Sequence, residues 1–346
     1  MAVTLKEVAK IAGVSLSTAS HAVRGIDPGK RSLSALTIQR VREVAEQLGY
    51  RPNLIAAGLA NNKTFTIGVM IPHLKGNFYE RIIKGLNEII YPNYTALLAI
   101  HNNDVEMERK GIEFFIGKRV DGVIAGYSGS QENLHLYREL QKHTPLVLVD
   151  RGIKDFDSHL VKSDYYLSTY LAIEELVKLG HKNILFVHCG KQLENKGRLL
   201  EGFNAAVSDF GLTDSAGIYS RCDSPTTPGR CMEHLAAKVI DYIKSNKPQT
   251  TAILTGRDWL AYELLAVCQD RDIKVPQELS IMGIEDSDPS MLRCIQLSSV
   301  RIELYEVGRK AAELLLKIIN GEQTEKQRTV IKPSVILRKT TAALKK

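Results

Sequence analysis

Thr4-Leu5-Lys6-Glu7-Val8-Ala9-Lys10-Ile11-Ala12-Gly13-Val14-Ser15-Leu16-Ser17-Thr18-Ala19-Ser20-His21-Ala22-Val23 decides how the first part of the chain folds. Thr4 and Glu7 have the spacing of a capping box, and Leu5, Val8, Ala9 and Ala12 recur at helical spacing, which predicts a first helix over Leu5–Ile11. Gly13 can take the positive φ of a tight turn, and Ser15 can cap a second helix whose inward face is Ala19, Ala22 and Val23. Two short helices joined by a three-residue glycine turn form a helix-turn-helix. Ser34 can cap a third helix with the stripe Ile38, Val41, Ala45 and Leu48, and Gly49 stands at its stop.

Charge is concentrated around this module. The chain has 46 Lys and Arg against 39 Asp and Glu, a net of +7. Residues 1–62 hold eight of the basic residues and four of the acidic ones, so more than half of the excess lies in under a fifth of the chain. A small basic module ahead of a near-neutral body points to a polyanion partner.

The body, from Phe65 on, alternates short β-rich runs with amphipathic stretches. The runs are Thr66–Ile71, Tyr94–Ile100, Gly122–Ala125, Leu146–Val149, Asn183–His188, Ala252–Thr255 and Leu279–Ile284, and their alternation predicts parallel α/β sheets. With 346 residues, 44% of them apolar and 25% charged, the chain is long enough for two or three domains and is neither disordered nor collagenous. No run approaches 18 apolar residues, and Met1-Ala2-Val3-Thr4-Leu5-Lys6-Glu7 has no basic and apolar leader pattern, so the expectation is a cytoplasmic protein with no membrane partner. The five cysteines, Cys189, Cys222, Cys231, Cys268 and Cys294, have no CxxC spacing and read as packing residues rather than metal ligands. No GxGxxG or Walker loop follows a strand, so no cofactor is indicated.

The sequence resembles the LacI/GalR family of bacterial transcription repressors. The resemblance rests on Thr4-Leu-Lys-Glu-Val-Ala-Lys-Ile-Ala-Gly-Val-Ser15, Thr18, Ser20 and Leu48-Gly-Tyr-Arg-Pro-Asn53, and continues as Ile67-Gly-Val, Val120-Asp-Gly-Val, Val149-Asp-Arg, Leu179-Gly-His-Lys-Asn-Ile184, Gly202-Phe, Gly283-Ile and Arg338-Lys-Thr-Thr341. It implies an N-terminal all-α helix-turn-helix domain over 1–52 and a hinge helix or linker over 53–62. The core would be α/β, two doubly wound parallel-sheet lobes of the type I periplasmic-binding-protein kind, over 63–162 plus 291–321 and 163–290 plus 322–346. The three crossings between lobes are then expected near Lys162, Met291 and Glu322.

The family reading places the second helix in the major groove of an operator, with Leu16, Ser17 and His21 choosing bases. Thr4, Ser15, Thr18, Ser20, Tyr50, Arg51 and Asn53 would hold the backbone. Gly25-Ile-Asp-Pro-Gly-Lys-Arg-Ser32 is longer than the family's usual connection; its Lys30 and Arg31 either add phosphate contacts or are ordinary surface charge. Ala56 and Leu59 fall in the hinge segment, Leu59 where the family inserts an apolar wedge into the minor groove. In the cleft between lobes, the family's positions correspond to Asn77, Phe78, Asp164, Arg198, Arg257, Asp258 and Glu285, with Asp164 and Asp258 equally readable as helix caps. Arg198 is one residue out of register, Arg257 stands where Asn is usual, and Glu285 replaces Asp. The resemblance implies a homodimer on a palindromic operator, controlled by a sugar, sugar acid or sugar phosphate. A solute receptor would account only for the lobes. An enzyme of sugar metabolism would need a catalytic constellation, and no HExxH or GxSxG motif is present.

Overall fold

The computed structural model describes residues 3–24, 33–51, 63–188, 194–220, 228–323 and 325–344. The chain divides into two units, Met1–Phe65 and Thr66–Lys346. In the first, α1 is Leu5–Ala12, α2 is Leu16–Arg24 and α3 is Ala35–Gln47. Glu7 Oε2 accepts from the Thr4 backbone N–H at 2.7 Å and from its hydroxyl at 2.9 Å. Those donors hold the Glu7 carboxyl below its ordinary range. α1 runs one residue past the expected end, because the left-handed turn becomes available only at Gly13, where φ is 64° and the Val14 N–H closes on Ala9 O at 3.0 Å. Ser15 and Ser34 cap α2 and α3, accepting from the N–H groups of Thr18 at 3.1 Å and Thr37 at 3.2 Å. Val8, Ala9, Ala12, Ala19, Ala22, Val41 and Ala45 form the buried centre, and Arg42 Nε donates to Ala22 O at 3.2 Å to tie α3 to α2.

The second unit begins with β1 (Thr66–Ile71), α4 (Phe78–Ile90), β2 (Thr95–Ile100), α5 (Val105–Lys118), β3 (Gly122–Ala125), α6 (Leu134–His143), β4 (Leu146–Val149) and β5 (His159–Ser163), which build the first lobe. The second lobe follows with α7 (Tyr165–Lys178), β6 (Ile184–Val187), α8 (Glu194–Asp209), β7 (Gly217–Tyr219), α9 (Pro228–Asn246), β8 (Ala252–Thr255), α10 (Asp258–Asp270), β9 (Ser280–Glu285) and β10 (Ser298–Arg301). Then α11 (Leu304–Ile319) and β11 (Arg328–Ile331) return to the first lobe, and β12 (Ser334–Ile336) to the second. The two sheets have the orders β11-β5-β4-β3-β1-β2 and β12-β10-β9-β8-β6-β7, parallel throughout except where β12 runs antiparallel to β10.

The chain crosses between lobes at Asp164, between Arg301 and Leu304, and between Ile331 and Ser334. Two of these differ from the sequence expectation. β10 remains in the second sheet, beside β9, so the second crossing is not near Met291; β11 pairs with β5, so the third is not near Glu322. The cause is β10's sequence, Ser-Ser-Val-Arg, which carries no apolar run. Its buried serines are satisfied by hydrogen bonds, Ser299 Oγ to Asp258 at 2.6 Å and Ser298 Oγ with Thr341 Oγ1 at 2.8 Å. Cys268 is buried in the second lobe, whereas Cys294 is exposed and does not pack as expected. Among the described residues no helix is long and apolar enough to cross a membrane.

Glycines set the helix spacing in both lobes. A Cβ on Gly308 of α11 would lie 2.0 Å from Ile82 O of α4, one on Gly85 of α4 equally close to Tyr305 O of α11, and one on Gly202 of α8 would lie 2.1 Å from Tyr166 O of α7. Backbone touches backbone at these crossings, so neither partner can give way by a rotamer change. Gly308→Ala should therefore lower the urea midpoint by the equivalent of about 1–3 kcal/mol. Gly117→Ala in α5, where nothing lies within 4 Å, should leave it unchanged or raise it. Equal midpoints for the two variants would show that the crossing relaxes.

Candidate nucleic-acid face and interlobe cleft

α2 separates its faces sharply. Ala19 and Ala22 are buried, while Leu16 is 53% exposed and Ser17 and Ser15 are exposed beside it. His21, Thr18 and Ser20 are half-buried at the flanks of that face. Ser15 is committed as the cap of α2, and Thr18 Oγ1 lies 2.9 Å from its hydroxyl, so these two act first as helix-start residues. Thr4 is exposed with its hydroxyl on Glu7, Arg51 is exposed, and Tyr50 packs against the small core. Lys30, Arg31, Asn53, Ala56 and Leu59 lie outside the described residues.

In the second unit the carboxyl ends of both sheets converge on one cluster of charged and phenolic groups, where ligands of open α/β folds bind. Asp150, directly after β4, has φ 71° and is nearly buried. Its carboxylate accepts from Tyr79 Oη of the first lobe at 3.0 Å and from Tyr165 Oη of the second at 2.7 Å. Burial and the Asp150 charge push both phenols well above their ordinary range, so they stay protonated and donate. Arg151, 5% exposed, lies with Nε 3.4 Å from Asp150 Oδ2, and its buried Nη1 has no hydrogen-bond partner among the described residues. The sequence reading did not name Tyr79, Asp150, Arg151 or Tyr165 as site residues, although Asp150 and Arg151 belong to the Val149-Asp-Arg motif. The available signal was an Asp-Arg pair immediately after the apolar run Leu146–Val149, the carboxyl end of a parallel strand.

Across from them stand residues at the carboxyl ends of β8 and β9. Arg257, whose side chain is 47% exposed, holds Nη1 3.6 Å from Glu285 Oε1. Glu285 is buried at φ 129°, and burial raises its carboxyl to about 7 although Arg257 pulls it down. Asn77, at φ 62°, donates Nδ2 to Asp288 Oδ2 at 2.9 Å from lobe to lobe, and Arg81 Nη1 donates to the carbonyls of Glu285 and Asp286 at 3.4 and 3.0 Å. Asn77, Arg257 and Glu285 thus stand where the strand-end reading expected them.

The other expected cleft residues have other work. Phe78 is buried in the core against Tyr79, ring centres 4.9 Å apart. Asp164 caps α7, accepting from the Leu167 N–H at 3.0 Å. Arg198 is exposed; it pairs with Glu201 one turn along α8 and lies over the Tyr166 ring, 5.3 Å from its centre. Asp258 was expected to face the cleft or cap its helix, and it does neither. It is 0% exposed, and its carboxylate accepts from Ser287 N–H at 2.7 Å and from the hydroxyls of Ser287, Ser290 and Ser299 at 3.1, 3.0 and 2.6 Å. Those four donors fill the carboxylate, so Asp258 fixes the loop after β9 and has nothing left for a ligand. Among the described residues no group of three or more His, Cys, Asp or Glu is placed to hold a metal.

A helix-turn-helix unit joined to a two-lobed unit with a charged interlobe cleft defines a DNA-binding regulator with a periplasmic-binding-protein-like core. Residues 4–53 match the model of the lacI family of bacterial regulatory proteins, and residues 173–341 that of the periplasmic binding protein-like domain. Catabolite control protein A of Priestia megaterium is 32% identical over 329 residues, covering 94% of this chain and 95% of that protein. Catabolite control protein A of Staphylococcus aureus is 30% identical over 99% of this chain and 100% of its own length. Among solved structures, the lac repressor dimer bound to operator and the anti-inducer ONPF has the same fold, with a TM-score of 0.79 at 20% identity over 99% of this chain and 100% of that one. The chain belongs to the LacI family of bacterial regulatory proteins, and is a transcriptional regulator rather than an enzyme.

The Glu285 carboxyl makes stability depend on pH. Its folded value, about 7, lies above the ordinary value of 4.5, so its contribution is complete below about pH 4.5 and is lost as pH rises through 7. Glu285→Gln removes the titrating group. Melting curves from pH 5 to 8 should therefore fall less steeply for the variant than for the parent; parallel curves would show that Arg257 already keeps Glu285 ionised.

Proposed function

We propose that the protein is a cytoplasmic repressor that binds a palindromic operator as a homodimer and is controlled by a small carbohydrate-like effector in the interlobe cleft. The observation that carries the DNA half is the exposed Leu16–Ser17 face of α2, opposite its buried alanines. On this reading Leu16, Ser17 and His21 meet base edges, while Thr4, Ser15, Thr18, Ser20, Tyr50 and Arg51 position the backbone, with Lys30, Arg31 and Asn53 adding phosphate contacts. Ala56 and Leu59 belong to a hinge that orders on the minor groove. The dimer reading is supported by apolar exposure around a contact between lobes. A Cβ on Gly76 would lie 2.8 Å from Trp259 Nε1, and near this contact Leu74, Trp259, Met291 and Leu292 are exposed. The outer strand β2, Thr-Ala-Leu-Leu-Ala-Ile, adds an exposed Leu98.

His21→Ala should cost about 1–3 kcal/mol at one base step and relax preference there, whereas Arg51→Ala should weaken specific and non-specific DNA alike. Binding-site selection checks both, and for a symmetric dimer the selected site is an inverted repeat. An unchanged logo for the His21 variant would move the recognition surface elsewhere.

For the effector, Asn77, Asp150, Arg151, Arg257 and Glu285 offer mixed donors and acceptors at the strand ends, with Arg151 Nη1 still unpartnered. Phe78 and Asp164 support the site through packing and a cap, and Arg198 is held by Glu201 and the Tyr166 ring. Both arginines expected in the cleft face a carboxylate, Arg257 on Glu285 and Arg198 on Glu201, so the charge balance favours a neutral polyhydroxylated ligand over a sugar acid or sugar phosphate. The transcriptional regulator CelR, of the same fold, was solved as its cellobiose complex, with a TM-score of 0.68 at 21% identity. Calorimetric titration of matched pairs, a hexose against its uronic acid, should find the neutral member tighter and Arg257→Asn weakening it. Preference for the acid, lost in that variant, would reverse the charge reading.

A further inference from the structure

One cavity is built from the first lobe alone. Neighbouring parallel strands are usually joined through a helix, yet the step from β4 to β5 over residues 150–158 contains none. This loop lines a cavity of about 830 Å³, to which no residue of the second lobe contributes. Tyr127, Ile153, Phe156 and Leu160 give it apolar walls, and Lys154, Lys162 and Arg328 bring three cations. The strand register sets two of them together. Arg328 of β11 stands beside Leu160 of β5, and Lys162 is two residues further along β5, so Arg328 and Lys162 share the sheet face that carries Leu160.

None of the three cations has an ion-pair partner among the described residues. Two acids, Asp155 and Asp157, line the rim, and both are exposed. Arg151, a further lining residue, has its charge offset by Asp150, 3.4 Å from Nε. The cavity therefore has a net positive edge above an apolar wall, a combination complementary to a dianionic head on an apolar or ring-bearing body.

We propose that this cavity is a second ligand site, adjoining the interlobe cleft only at Arg151, that takes a small organic phosphate monoester. The phosphate lies among Lys154, Lys162 and Arg328, and the body against Tyr127, Phe156 and Leu160.

The test is calorimetric titration of the full chain with phenyl phosphate, with phenol and inorganic phosphate as the two half-probes. Phenyl phosphate should bind saturably and more tightly than either half. Lys162→Gln combined with Arg328→Gln should weaken it at least about tenfold, and Arg257→Asn in the cleft should leave it unchanged. Circular dichroism checks that the variants fold. Absence of saturable binding at millimolar probe overturns the proposal. Binding that survives the double substitution, or that Arg257→Asn abolishes, places the phosphate elsewhere and overturns it as well.

Discussion

The Asp150 carboxylate is almost fully buried at the end of a parallel strand, and a charge in that position is tolerated only when its oxygens are matched. Its donors come from both sides, Tyr79 from the first lobe and Tyr165 from the second. Tyr165 is the first helical residue beyond the crossing at Asp164, so this bond joins the lobes near a pivot rather than at the rim. Further contacts extend the junction, Asn77 to Asp288 and Arg81 to the carbonyls of Glu285 and Asp286. Any ligand that engages Asp150 must compete with two phenolic hydroxyls, and in doing so it alters what holds the lobes together. The charged chemistry of the cleft and the mechanics of the core are thus the same set of bonds.

The second lobe holds its half of the junction by a different device. Glu285 and Asp286 have φ values of 129° and 49°, conformations that non-glycine residues adopt only when their surroundings fix them. The surroundings here are the serine donors around Asp258 and the arginines on Asp286. Arg301 Nε donates to Asp286 Oδ2 at 2.8 Å, and Arg338 Nη2 is 2.7 Å from Oδ1, close as an ion pair though off the hydrogen-bond direction. Arg301 lies at the second crossing and Arg338 in the C-terminal tail, so distant parts of the chain hold one strand end. The tail continues along this lobe, with Thr340 Oγ1 donating to Ile281 O at 2.7 Å and the Leu344 N–H closing on Leu179 O at 2.8 Å.

In the helix-turn-helix unit, local rules suffice because every decisive interaction spans a few residues. Thr4 with Glu7, Ser15 with Thr18, and Ser34 with Thr37 are each three apart, and the glycine stops follow directly on their helices. Of the expected inward faces, Val8, Ala9, Ala12, Ala19, Ala22, Val41 and Ala45 are buried, and Leu5, Val23, Ile38 and Leu48 pack partly buried against them. Strands made of apolar runs were equally readable, since β1, β3, β4 and β8 have the bounds expected for them. β5, β7, β10, β11 and β12 were missed. His-Leu-Val-Lys-Ser and Ser-Ser-Val-Arg become strands only beside partners already in a sheet.

The sequence by itself determined the three-helix unit, the parallel α/β character of the body and the family, because caps, turn glycines and apolar periodicity act over one or two turns or along one strand. It also placed Arg257 and Glu285 at strand ends. Only the tertiary structure decided where the chain crosses between lobes, that Asp150 joins the lobes through Tyr79 and Tyr165 while Asp258 fixes the loop after β9, and that Arg198 is committed to Glu201 and Tyr166. The difference lies in chain separation. Asp258 is filled by serines 29, 32 and 41 residues away, and Asp150 by a tyrosine 71 residues away. A carboxylate's role is set by which donors folding brings to it, and no local pattern encodes donors that far along the chain.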